Sequence, residues 1–127
     1  MSSCPCGSGR DLDGCCGPFL DGSAAPTAEA LMRSRYSAFV RGDEDHLFRT
    51  WHPRTRPPGP YAAPDITWTG LQVLRTSGGG EGELAGTVEF IASWRRDDGV
   101  TGEVHEISRF ARRAGRWFYL DGELAEG

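Results

Sequence analysis

The sequence contains no lysine: all fourteen of its basic residues are arginine. That excludes lysine Schiff-base chemistry and the ammonium group of a P-loop. What cationic recognition remains belongs to planar guanidinium forks, which suit carboxylate or phosphate. No apolar run approaches the roughly 18 residues of a membrane span. The first twenty residues hold cysteines and glycines where a signal peptide would carry its hydrophobic stretch. We therefore expect no membrane span and a cytoplasmic protein. A formal net charge of −4 argues against general attraction to nucleic acid or anionic lipid. No G-x-S-x-G, Walker A, H-E-x-x-H or specific nucleic-acid motif is present.

What the chain does have is a concentration of cysteine. All four cysteines, Cys4, Cys6, Cys15 and Cys16, fall near the front of 127 residues, as C-x-C, eight residues, then C-C. In a reducing compartment such a cluster reads as metal ligands, the alternatives being free thiols or a disulfide that vicinal Cys15 and Cys16 would form awkwardly. Two short claws of this kind can close around one tetrahedral ion, with zinc the first expectation and iron also accepted by soft sulfur. Gly7, Ser8 and Gly9 permit the tight turn that aims N–H groups at sulfur, and Arg10 can offset the negative charge of four thiolates. A closed four-ligand site leaves no open position for substrate, which points to folding or recognition and away from catalysis.

Residues 1–22 are poor in branched apolar side chains and form the expected metal knuckle; residues 23–127 form the body. Leu31, Met32, Tyr36, Phe39 and Val40 recur at helical spacing behind a Thr27 N-cap, with Gly42 placed to stop the helix. Asp43 caps a second, shorter helix through Trp51, which Pro53 stops. Five prolines between Pro53 and Pro64 mark a loop. The period then changes to two, and turn signals separate four strands near 66–76, 83–96, 102–113 and 116–121. In the second of these, Leu84, Val88, Phe90, Ala92 and Trp94 share one face. The glycine run between Ser77 and Gly82 reads as a flexible hairpin turn. Helices followed by an antiparallel meander predict an α+β fold with the helices packed on one face of the sheet.

The run Cys4-Pro-Cys-Gly-Ser-Gly9 with Cys15-Cys16 resembles the SEC-C motif found at the end of the SecA translocation ATPase, although a histidine often fills the last ligand position there. Beyond the knuckle, Pro26-Thr-Ala-Glu-Ala-Leu-Met-Arg-Ser-Arg-Tyr36, Thr50-Trp-His-Pro53, Glu106-Ile-Ser-Arg-Phe110 and Trp117-Phe-Tyr-Leu-Asp-Gly122 resemble the bacterial YchJ family. That resemblance covers nearly the whole chain. It implies an N-terminal zinc knuckle on an NTF2-like cone, in which helices pack on a curved antiparallel sheet. Some members carry a second C-terminal knuckle, and no second cysteine cluster follows here.

On a helical wheel Arg35 lies inside the apolar stripe, between Leu31 and Phe39, and a guanidinium there needs a partner or a wet cavity. Glu106 is the expected partner. It shares a strand face with Val104, Ser108 and Phe110, while His105, Ile107 and Arg109 share the other. The two charges are expected to meet near Trp51, His52 and Tyr119, where an NTF2-like cone would keep its pocket, with Arg109 a further candidate for its wall. The pair is either a salt bridge closing the cone or part of a ligand site. His52, at a helix end that favours its charged form, is either a general base or a cap on carbonyls. His46 and His105 have no metal-ligand spacing and are expected at the surface. Trp51, Trp68, Trp94 and Trp117 are expected in the core, since no basic stripe accompanies them.

Two functions follow, beside a third possibility, a purely structural knuckle on an otherwise inert stability module. The first is a non-enzymatic adaptor whose knuckle docks on a protein or ribonucleoprotein, ribosome or export machinery by analogy with other SEC-C proteins. The alternative is a small-molecule-binding or enzymatic pocket built around Arg35, Glu106 and His52. Fold analogy also suggests a homodimer.

Overall fold

The computed structural model describes residues 3–125. A 3-10 turn at Leu12–Gly14 and the single helical turn α1 (Gly17–Leu20) follow the first cysteines. Then come α2 (Ala28–Arg41), α3 (Glu44–Thr50), β1 (Ile66–Gly78), β2 (Ala85–Arg96), β3 (Thr101–Arg113) and β4 (Arg116–Leu124). The expected α+β order holds. The two short turns before Ala28 were not expected, because three or four residues carry no measurable period.

The helix boundaries follow from their caps. The Thr27 hydroxyl accepts the Ala30 N–H at 3.0 Å, and Gly42 closes α2 at φ 69°, in the left-handed region. The Asp43 carboxylate accepts the His46 N–H at 3.1 Å to open α3. That helix ends at Thr50, because Trp51 is already extended, two residues ahead of Pro53. In the proline-rich loop the Glu44 carboxylate accepts the N–H groups of Tyr61 and Ala62, both at 2.8 Å, which fastens the loop to the start of α3.

The sheet is a meander in the order β1-β2-β3-β4, antiparallel throughout. Val88 faces Ser108 and Phe90 faces Glu106 across β2 and β3. Register shifts interrupt β1 at Trp68/Gly70 and Val73/Arg75, and the β3–β4 pairing at Arg109/Phe110. Irregularities of this kind bend and twist a strand. The core forms where α2 meets the sheet: Ala25, Ala28, Leu31 and Met32 pack against Val88, Phe110 and Trp117. Each large apolar side chain buried there contributes about 2 kcal/mol.

Several expectations need correction. Leu84 is 74% exposed because β2 starts one residue later, so the residue lies in the turn. The glycine run is partly a seat for α2: Gly79 is buried, its carbonyl accepts the Ala28 N–H at 2.9 Å, and a Cβ there would stand 2.7 Å from that of Ala28. His46 is not at the surface but 1% exposed, because α3 turns this residue toward α2, where the imidazole Nε2 meets the Ser34 hydroxyl at 2.9 Å. His105 is half-buried, with Nε2 2.7 Å from the Glu89 carboxylate. Of the tryptophans only Trp117 is fully buried; Trp51, Trp68 and Trp94 are partly covered. Among the described residues no helix is long and apolar enough to cross a membrane.

Candidate metal centre and cavity

The first site is built from a loop and a 3-10 turn. Gly7 and Gly9 take φ of 80° and 84°, a conformation other residues rarely adopt, and these reverse the chain so that the Cys4 N–H reaches the Arg10 carbonyl at 2.8 Å. The Leu12–Gly14 turn then returns Cys15 and Cys16 beside Cys4 and Cys6. All four are unbridged and buried, and their sulfurs lie within 4.8 Å of one another. Cys6 and Cys15 are 3.6 Å apart at sulfur, Cys15 and Cys16 3.9 Å. An ion bonded to four sulfurs at about 2.3 Å in a tetrahedron holds them about 3.8 Å apart, so the donor set fits such a metal.

Polar groups surround this cluster. The Ser8 hydroxyl is 3.1 Å and the Arg10 guanidinium 3.8 Å from the Cys15 sulfur. From α2, the Ser37 hydroxyl is 3.6 Å from the Cys4 sulfur, and Arg33 donates to the Cys6 carbonyl at 2.8 Å while its Nε holds Glu29. The Cys6 thiol is pulled down to about 4, first by its hydrogen bond with Cys16 and further by the Cys4 thiol and by Ser8, against burial. The same contact with Cys6 pushes Cys16 up, and burial pushes Cys15 up. Negative charge therefore concentrates on Cys6, and a cation entering the cluster would displace protons from its neighbours.

Arg33 and Ser37 escaped sequence reasoning as supports of the knuckle. Their signal was there, four residues apart on one helix face. Leu71 of β1, which packs against the cysteines and also faces the cavity described next, carried no such signal.

The second site is a cavity of about 250 Å³ between α2 and the sheet. Its wall is mainly apolar and aromatic, including Tyr36, Phe39, Trp68, Phe90 and Phe110. Four of the six sequence-predicted pocket residues line it: Arg35, Trp51, Glu106 and Tyr119. His52 and Arg109 do not. The ring of His52 packs on Phe118, and its Nδ1 accepts the Arg54 N–H at 3.1 Å, so it caps an amide and not a carbonyl. Desolvation, then Arg54 and Arg113, lowers its pKa, opposite to the effect expected of a helix end. Arg109 points to the other side of β3, where its Nε holds Asp121 at 2.6 Å.

Arg35 and Glu106 share the cavity, yet among the described residues no ion pair joins them. Arg35 is 6% exposed and spends one nitrogen on two acceptors, donating from Nη1 to the Leu47 carbonyl at 3.1 Å and to Thr50 Oγ1 at 2.7 Å. Its guanidinium lies 4.7 Å from the Tyr119 ring centre and 5.2 Å from that of Trp51. Burial lowers its pKa to about 10, which leaves it charged at neutral pH. Glu106 Oε2 meets the Ser108 hydroxyl at 2.5 Å and the Tyr119 hydroxyl at 3.5 Å. Among the described residues the buried Trp51 indole nitrogen has no hydrogen-bond partner.

The profile of the YchJ middle NTF2-like domain matches residues 27–122. This chain belongs to the YchJ family. A UPF0225 protein from Streptomyces coelicolor is 52% identical over 124 residues, covering 97% of the present chain and 96% of that protein. A UPF0225 protein from Chromobacterium violaceum is 48% identical over 129 residues, covering 98% and 94%. The YchJ-family chain is also similar to the solution structure of RPA3114, a SEC-C motif containing protein from Rhodopseudomonas palustris. The TM-score is 0.80 at 35% identity, over 97% of this chain and 98% of that one. A crystal structure of a SEC-C motif containing protein from Psychrobacter arcticus gives a TM-score of 0.74 at 25% identity, over 100% and 85%. The family resemblance carried by the knuckle and the body motifs therefore holds, and the fold is the α+β arrangement it implied.

Proposed function

We propose that this YchJ-family chain is a small-molecule-binding protein whose cavity receives a small, largely apolar ligand while its knuckle holds one structural zinc ion. The observation that carries this reading is Arg35: a buried cation on the wall of an apolar cavity, with no carboxylate among the described residues bonded to it. Taking a guanidinium out of water costs several kcal/mol, and an apolar residue usually serves stability as well or better. A salt bridge closing the cone would have explained the arginine, but Glu106 is bonded elsewhere. A cavity of about 250 Å³ lies just below the range of drug-sized pockets, so the guest is one or two rings in size. The reading is binding without reaction, since His52, the general-base candidate, stands outside.

In this account zinc braces a wall. Leu71 touches both the cysteine cluster and the cavity, and Arg33 and Ser37 tie the cluster to α2. Titration of the zinc-loaded protein with indole and naphthalene, followed by protein NMR, tests the binding. Saturable shifts confined to cavity residues are expected, and the absence of any would refute it. A second reading, a macromolecular partner docking on the knuckle, is favoured by the exposed residues Gly7, Gly9, Arg10 and Asp11 beside the cluster. A pull-down with native protein and the Cys15→Ser/Cys16→Ser variant tests it, and a partner retained by the variant counts against it.

A further inference from the structure

Arg35 and Glu106 are each held by their own partners, and this keeps two opposite charges in one apolar cavity without letting them collapse together. Both hydrogen bonds of Arg35 leave from Nη1, and among the described residues Nε and Nη2 make none. Those two nitrogens form one edge of the guanidinium fork, the kind of edge that grips two acceptor positions at once. Both bonds to Glu106 arrive at Oε2, which leaves Oε1 without a partner among the described residues. The carboxylate lies over β4, where a Cβ at Gly122 would stand 2.5 Å from Oε2. Glycine at that position thus makes room for the carboxylate.

The cavity therefore offers one donor edge, one acceptor oxygen and no net charge. An anionic guest would leave Glu106 uncompensated, and a cationic one Arg35. The aromatic wall favours a flat guest. We propose that the cavity recognises a neutral, flat nitrogen heterocycle of the lactam type, its ring carbonyl on the Nε/Nη2 edge of Arg35 and its ring N–H on Glu106. This rests on the cavity being a binding site.

The test compares four probes of similar size by NMR titration of the zinc-loaded protein: carbostyril as neutral lactam with no other polar atom to bury, benzoate as anion, benzamidine as cation and naphthalene as apolar body. Carbostyril is expected to bind tightest. Glu106→Gln should weaken it about tenfold or more, the loss typical of a hydrogen bond to a charged group, while strengthening benzoate, because the cavity then carries a net positive charge. A variant that merely misfolded would lose both probes. Gly122→Ala keeps every charge but crowds Oε2, and should weaken carbostyril while leaving naphthalene unchanged. Benzoate or benzamidine binding the native protein more tightly than carbostyril, or naphthalene binding alone, overturns the ligand class and leaves the cavity reading standing. If none of the four binds, both readings fall.

Discussion

His46 turns a buried, neutral imidazole into a measurable pH dependence. The Ser34 hydroxyl donates to the Leu31 carbonyl at 2.7 Å, so the bond of 2.9 Å between Ser34 and His46 Nε2 requires the proton on Nε2. Nδ1 is then a bare acceptor, buried without a donor among the described residues. Burial first, then Arg49 and Arg35, lower the pKa from 6.5 to about 4, outweighing Asp43 and Asp45. A histidine whose folded pKa is depressed contributes stability that is intact above its unfolded value and is lost as pH falls toward the folded one. Those two pKa values imply a loss of about 2 kcal/mol at pH 5 and about 3 kcal/mol once the pH drops below 4. The loss at pH 5 corresponds to a fall in Tm of about 10 °C for a domain of this size. The assay is thermal unfolding between pH 7.5 and 5 for native protein and His46→Gln. Acid also strips metal from thiolates, but in both proteins alike, so the difference between the two slopes isolates the imidazole. Equal slopes would refute the assignment.

Further expectations can be checked alongside it. Metal analysis should give about one ion per chain, and Cys16→Ser should lose it together with much of the thermal stability, since binding to a four-thiolate site is coupled to folding. Removing the ion should also weaken ligand binding through Leu71; unchanged affinity in the metal-free protein would break that link. Leu47→Ala, at a fully buried position against α2, should cost about 2–5 kcal/mol in denaturant unfolding. Replacing either N-cap, Thr27→Ala or Asp43→Ala, should cost about 1 kcal/mol. Arg109→Ala should leave probe binding unchanged, because its guanidinium lies on the far side of the sheet.

The parts of the fold legible in the sequence were those set by local rules. Thr27, Gly42 and Asp43 mark helix ends because caps act within a few residues, and period-two alternation placed Glu106 with Ser108 and Phe110. Cysteine spacing was enough to show that the four thiols gather in one cluster. What escaped depends on packing between segments far apart in sequence. The pattern showed Arg35 to be buried and Glu106 to share its cavity, but not that Thr50 and the Leu47 carbonyl would satisfy one while Ser108 and Tyr119 held the other. The burial of His46 is not legible locally, because nothing near it in sequence says that α3 turns this residue toward Ser34. Strand parity sets Arg109 beside His105 and Ile107, so its expected place in the pocket wall conflicts with its own strand. The helical turn at Gly17–Leu20 was too short to show a period at all.

The most direct test of the account is the response of two NMR signals, the Arg35 Nε–H and the Trp51 indole N–H, when the zinc-loaded protein is saturated with a one- or two-ring guest. Both should shift together and saturably with indole, while the side chains of His52 and Arg109 stay fixed. Shifts at His52 or Arg109 with Arg35 and Trp51 unmoved, or no shift anywhere, would contradict the claim that this cavity is the functional site.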